Sequence, residues 1–234
     1  MNDTQLGIFA RFPAVGKVKT RLAADVGDEA ACRVYRAFVE TLLARFSVVA
    51  DRRVVAYTPA DSGDDFRRWL AAHALIDDDA WALVPQSEGD LGARMQSYFE
   101  TAFAGGSRRV VLIGSDSPTL PTEYVQQAFD QLRHNPIVLG PSDDGGYYLV
   151  GLRDMVPPMF EGIAWSQATV WRETTARLSR HGLAFHALPP WYDVDELADL
   201  HRLDEELAGP ASRAGDASLD RLRRVVREVV STKP

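Results

Sequence analysis

The sequence predicts an α/β protein with a mostly parallel central sheet flanked by helices. Three observations lead there. Strand-like runs alternate with helical patterns four times between residues 5 and 132. The run Val110 to Ile113 is unbroken and apolar, as in strands buried on both faces of a parallel sheet. It stops at Gly114, and Asp116 follows with Pro118 behind it, at the strand end where open α/β folds bind ligands.

In order, residues 5–12 (QLGIFARF) read as the first strand, broken by Pro13 and Gly16. Residues 28–46 carry Val34, Phe38, Leu42 and Phe46 at helical spacing. RRVVAYT at 52–58 is the second strand, and Asp61 opens a helix with Phe66, Trp69 and Leu70. WALVPQ at 81–86 is the third strand, with a helix from Leu91 to Phe103. RRVVLIG at 108–114 is the fourth, with a helix over 122–132 and Thr122 as its N-cap. The alternation then fails. Residues 136–152 contain two strand-like runs joined by DDGG, a tight-turn sequence. A loop at Pro157 and Pro158, a helix over 167–180 and a strand over 184–188 follow. Two polar helices, 196–207 and 216–231, close the chain, joined by the flexible turn GPASRAGD. The organisation expected is one domain over 1–200 with a helical extension of that domain over 201–234.

Size and composition narrow the function. A chain of 234 residues that is 46% hydrophobic can fill a sizeable core. A net charge of −7 argues against a nucleic-acid partner, and no apolar stretch reaches the roughly 20 residues of a membrane span. The N-terminus lacks the features of a signal peptide, so a cytoplasmic location is expected. The single cysteine, Cys32, excludes an internal disulfide and reads as a small core residue. Of 26 basic residues only three are lysines, and two of these, Lys17 and Lys19, stand in the loop after the first strand with Arg21. A compact ammonium suits a phosphate, so this loop reads as a phosphate site rather than a solvated surface. It is neither a P-loop, because Val18 follows Gly16–Lys17, nor a GxGxxG turn.

Asp116 is the expected metal anchor, with Ser115 beside it. Mg²⁺ takes hard oxygens and keeps waters and substrate phosphates. Asp143, Asp144, Asp193 and Asp195 are the candidates to join it. The competing explanations are a turn acid before Pro118 and, for Asp193 and Asp195, capping of the next helix. Asp143 and Asp144 precede Gly145 and Gly146 and a tyrosine pair, Tyr147 and Tyr148, of which at most one should line the site. In QSEGDLGARM, Gly89 loosens a loop and Asp90 could take ribose hydroxyls, against the alternative that Asp90 caps a helix with Arg94 beyond it. Trp165 could stack on a sugar or plug the core.

Six segments in one order, Lys17 to Leu22, GDLGARM, GSDSPTLP, GPSDDGGYYLVGL, Trp165–Ser166 and Asp193-Val-Asp195, resemble the DUF2064 family over residues 5–200. That resemblance implies a GT-A-like, Rossmann-like domain of the nucleotide-diphospho-sugar transferase superfamily; some members of the DUF2064 family are named arsenosugar-biosynthesis glycosyltransferases. It also implies Asp116 and Asp195 as ligands of Mg²⁺ or Mn²⁺, and Lys17, Lys19 and Arg21 on the nucleotide phosphates. Gln167 and Glu196 depart from the family's usual threonines.

The function expected is a metal-dependent glycosyltransferase with a nucleotide or nucleotide-sugar donor and a small-molecule acceptor. Gly89, Asp90, Arg94, Ser115 and Trp165 would contact the donor, Lys19 and Arg21 would act on the leaving group, and Asp144, or else Asp143, would orient or deprotonate the acceptor. The alternative is a guanylyltransferase-like nucleotidyltransferase that joins a nucleoside monophosphate to a phosphorylated acceptor and releases pyrophosphate. A non-enzymatic nucleotide-binding regulator is the third reading. The sequence leaves open whether the last helix forms a homodimer.

Overall fold

The computed structural model describes residues 3–73, 81–156, 159–165, 167–209 and 216–232. The expectations for Pro157, Pro158, Ser166 and the turn over 210–215 lie outside the described residues. The strands are β1 (Thr4–Arg11), β2 (Arg52–Thr58), β3 (Ala82–Pro85), β4 (Arg109–Ile113), β5 (Ile137–Pro141), β6 (Tyr147–Leu152) and β7 (His186–Ala187). The helices are α1 (Thr20–Val26), α2 (Asp28–Arg45), α3 (Gly63–Ala72), α4 (Leu91–Ala104), α5 (Thr122–Gln131), α6 (Val170–Arg180), α7 (Leu197–Ala208) and α8 (Ala217–Ser231). The seven strands form one sheet in the order β3-β2-β1-β4-β6-β5-β7. Only β6 runs antiparallel, against β4 and β5.

Side-chain alternation explains how both faces of the sheet are buried. In β4, Val111 and Ile113 face a core layer formed with α2 and α5, while Val110 and Leu112 face a second layer formed with α4. β1 and β2 divide in the same way. The C-terminal helices are not a separate unit. Leu200, Leu203, Leu207, Leu222 and Val226 lie fully buried in the same layer as Phe38 and Leu42 of α2.

The winding sets the position of the site. From β1 the chain builds outward through β2 and β3, then returns to lay β4 on the other side of β1. The parallel strands β1 and β4, paired at Ile8 and Ile113, therefore flank a switch point at their carboxyl ends.

Three local expectations are corrected. Residues 20–22, the end of the stretch 12–22 read as a loop, open the short helix α1. The N-cap of α5 is Pro121 rather than Thr122, which is the first helical residue and turns its hydroxyl toward Glu123. The strand expected over 184–188 shrinks to His186–Ala187.

Candidate functional site

The loops that leave β1 and β4 meet over a cleft of about 370 Å³. Arg11, Lys17, Lys19 and Arg21 line it with Ser115, Asp116 and Asp195. Lys19 is its organising residue. Its backbone is left-handed (φ 48°, ψ 47°) at the start of α1, a conformation that costs a non-glycine residue about 1–2 kcal/mol. The side chain is 3% exposed and passes over the Phe38 ring. Nζ forms ion pairs with Asp116 Oδ1 and with Asp195 Oδ1, the latter at 2.8 Å. Asp195 Oδ2 accepts from Arg21, which is 64% exposed and also pairs with Glu196.

Burial alone would depress the Lys19 pKa, but the two carboxylates outweigh it and hold the ammonium above its ordinary value. Burial likewise works to raise Asp195, yet Lys19 and Arg21 hold it below the usual carboxylate value. Asp116 is 43% exposed, and its Oδ2 has no hydrogen bond or ion pair among the described residues. The Asp116 carbonyl accepts from Val194 N at 2.9 Å, which pins the Asp193–Asp195 segment to the end of β4.

Behind Asp116 lies residue Tyr35, fully buried, whose hydroxyl meets Ser115 Oγ at 2.9 Å and accepts from Arg11 N. Burial, and then the Asp116 charge, push the Tyr35 hydroxyl up to about 12. The cleft continues past Asp116 into a second lobe of about 240 Å³, lined by Phe9, Met95, Leu112, Tyr147, Leu149 and Asp193. Asp193 Oδ1 accepts from Ser117 Oγ at 2.5 Å, and Oδ2 accepts from Ser142 Oγ at 2.8 Å. Burial is the main cause that lifts this carboxyl to about 6, with the nearby Asp116 and Asp144 charges adding to it.

Lys17, Lys19, Arg21, Ser115, Asp116 and Asp195 therefore gather in one cleft as anticipated. Other expected site residues serve the fold. Asp90 caps α4 through Ala93 N at 2.8 Å. Arg94 Nε donates to the Gly89 carbonyl at 2.9 Å, and Gly89 supplies the positive φ of that turn. Asp143 pairs with Arg202 at 3.0 Å, and Asp144 accepts from Gly146 N at 2.9 Å within the β5–β6 hairpin turn. Neither acid lines the cleft. Trp165, half-buried, packs edge-on against Tyr147 and over Gly92 at the edge of the core, and it lines neither lobe of the cleft.

Capping does not account for Asp193 or Asp195, because Glu196 and Asp199 form the capping box of α7. Both tyrosines of the pair reach the second lobe, although the Tyr148 hydroxyl turns away to the Pro189 carbonyl. Sequence reasoning missed Tyr35, whose aromatic spacing in α2 is indistinguishable from core packing.

These features define an open α/β fold with a charged switch-point cleft. The family model described as uncharacterized proteins conserved in bacteria, DUF2064, matches residues 39–167, and the chain belongs to this family. A crystal structure from Desulfovibrio desulfuricans G20, provisionally named a nucleotide-diphospho-sugar transferase, is similar at 35% identity and a TM-score of 0.86, covering 98% of this chain and 99% of that one. A nucleotidyl transferase from Methanothermobacter thermautotroptrophicus shares the fold at 14% identity and a TM-score of 0.57, covering 88% of this chain and 98% of that one. A cytidylyltransferase from Leptospira borgpetersenii does so at 13% identity and 0.55, covering 100% and 99%. No curated protein matches the chain.

Proposed function

We propose that the protein is a glycosyltransferase that binds a nucleotide-diphosphate sugar in the β1–β4 cleft and passes the sugar to a small-molecule acceptor. The observation that carries this reading is the buried Lys19 ammonium held between Asp116 and Asp195 at the switch point. The name of the Desulfovibrio relative supports it, whereas the nucleotidyltransferase likenesses speak only for the fold.

The cationic rim suits a leaving diphosphate. Lys17 and Arg21 reach it as exposed charges, and Lys19 holds the two carboxylates together beneath it. As the sugar moves, a bond forms between the acceptor oxygen and the anomeric carbon. The bond from that carbon to the diphosphate breaks, and its electron pair stays on the diphosphate. Positive groups already in place stabilise that charge without reorganising. The acceptor proton passes to a carboxylate. Asp193, which lines the second lobe, suits this role better than Asp143 or Asp144, which do not reach the cleft.

The donor set suits Mg²⁺ or Mn²⁺ in kind: Asp116 leaves Oδ2 without a partner among the described residues, and Asp195, whose oxygens pair with Lys19 and Arg21, lies beside it on the same lysine. Asp116 and Asp195 would hold the ion, which when bound supplies charge neutralisation at the diphosphate. A thermal-shift panel of nucleotide sugars and nucleoside triphosphates, with and without Mn²⁺, tests the reading. Stabilisation strongest with a nucleotide sugar plus Mn²⁺ is expected. Stabilisation confined to triphosphates, with pyrophosphate released, would overturn it.

A further inference from the structure

The cleft changes sign across Asp116. On the donor side stand Arg11, Lys17, Lys19 and Arg21. The second lobe has no lysine, arginine or histidine among the described residues that line it. Its charged groups are Asp116 and Asp193, at one end of a wall formed by Met95, Leu112, Tyr147 and Leu149. Lys19, the cation on Asp116, lines only the donor side and is taken up by two carboxylates. We infer that this lobe selects an uncharged or cationic, hydroxyl-bearing acceptor with an apolar body, and excludes phosphorylated and other anionic acceptors. Calling the ligand an acceptor rests on the proposed sugar transfer; the charge preference of the lobe does not.

The physical grounds are direct. With no cation on Asp116, an anion entering the lobe would lose its hydration, meet two carboxylates and find no counter-charge among the residues that line it. A hydroxyl or ammonium finds an acceptor instead. Each Asp193 oxygen takes one serine hydroxyl and keeps a second lone-pair site. The apolar wall offsets the desolvation of a ring or branched chain. At about 240 Å³ the lobe suits a molecule of one-ring size, since a dry cavity of about 150 Å³ admits benzene.

Met95 is a reporter for this lobe, because it lines the second lobe and not the donor side. The chain has four methionines, so ¹³C-methyl spectra are simple, and Met95→Leu assigns the signal. Three probes share one ring and differ in charge: benzyl alcohol, 4-(aminomethyl)benzyl alcohol and benzyl phosphate. They are titrated with excess pyrophosphate present to fill the cationic side.

The alcohol and the amine should shift the Met95 methyl, with benzyl phosphate at least about tenfold weaker. Asp193→Asn should weaken the amine about tenfold and leave the alcohol within about threefold. Benzyl phosphate acting as well as the alcohol, no response to any probe, or an amine indifferent to Asp193→Asn would each overturn the inference. Calorimetry with nucleoside diphosphates on the same sample separates the two readings. Loss of diphosphate binding alone strikes the sugar-transfer reading, and a Met95 response to benzyl phosphate alone strikes the acceptor inference.

Discussion

Lys19→Met should unfold more easily than the wild type by about 2 kcal/mol at pH 7.5, and the deficit should fade in acid. Methionine keeps a long apolar side chain but removes the ammonium, which pairs with both carboxylates and lies 5.6 Å from the Phe38 ring centroid. At 2.8 Å and an effective dielectric constant of 20, the Lys19–Asp195 attraction is about 6 kcal/mol before desolvation is subtracted. Breaking buried pairs costs about 3–5 kcal/mol net. Asp116 and Asp195 are 43% and 28% exposed, so water screens much of the repulsion left behind, and about 2 kcal/mol remains.

The pH window follows from the directions of the shifts. Lys19 is raised above 10.5, so its contribution is present below that value and is lost as pH rises through the folded value. Asp195 is lowered below 3.8, so its contribution is present above 3.8 and is lost as pH falls through the folded value. Urea unfolding of both proteins across this range is the assay. At pH 7.5 the melting temperature should fall by about 4–8 °C. Equal stability at pH 7.5, or a deficit unchanged below pH 3, would refute the reasoning.

Three further outcomes are expected. Asp193 is raised to about 6, so it favours the folded state below 3.8 and loses that contribution as pH rises through 6. Asp193→Asn should therefore be more stable than the wild type by about 1–2 kcal/mol at pH 7.5, with the gain vanishing near pH 4, and a pH-independent difference in urea midpoints would contradict this. Gly92→Ala should destabilise by about 1–3 kcal/mol, because the new methyl would lie 2.6 Å from the Phe160 carbonyl oxygen and 2.4 Å from Trp165 Nε1; an unchanged urea midpoint would show that the 160–165 segment yields freely. Trp165→Ala should cost about 2–3 kcal/mol in the same assay yet leave nucleotide diphosphate affinity within about twofold, since Trp165 is half-buried against the core and lines neither lobe; a large loss of affinity would return it to the donor site.

What could be read from the sequence was local. The strands β2 and β4 and the helices α2 and α4 carry their own periodicity, so their extents fall within one or two residues of the pattern. The antiparallel turn of β6 was legible in DDGG, whose Gly145 has φ +88°. Helix α1 was hidden because its seven residues, TRLAADV, carry too little pattern. Lys17, Lys19 and Arg21 could be placed in the loop after β1 and Asp116 at the end of β4, whereas Asp195 was singled out among four acids only by the resemblance to DUF2064. Their pairing could not be read: Lys19 and Asp195 are 176 positions apart, and no spacing rule says that an ammonium will join the two acids expected to share a metal. For the same reason Asp143 could not be linked to Arg202, 59 positions away. Asp193 stood out only as one of several acids until the chain brought Ser117 and Ser142 to its two oxygens.

The central claim is that the β1–β4 cleft holds a nucleotide diphosphate with Asp116 as the anchor of a divalent cation. Calorimetry of five nucleoside diphosphates with Mn²⁺, on the wild type and on Asp116→Asn, tests it most directly. At least one diphosphate should bind the wild type with a Kd below about 100 μM, and Asp116→Asn should weaken it at least about tenfold. The variant should keep its fold. No binding by the wild type, or equal binding by Asp116→Asn, would contradict the account.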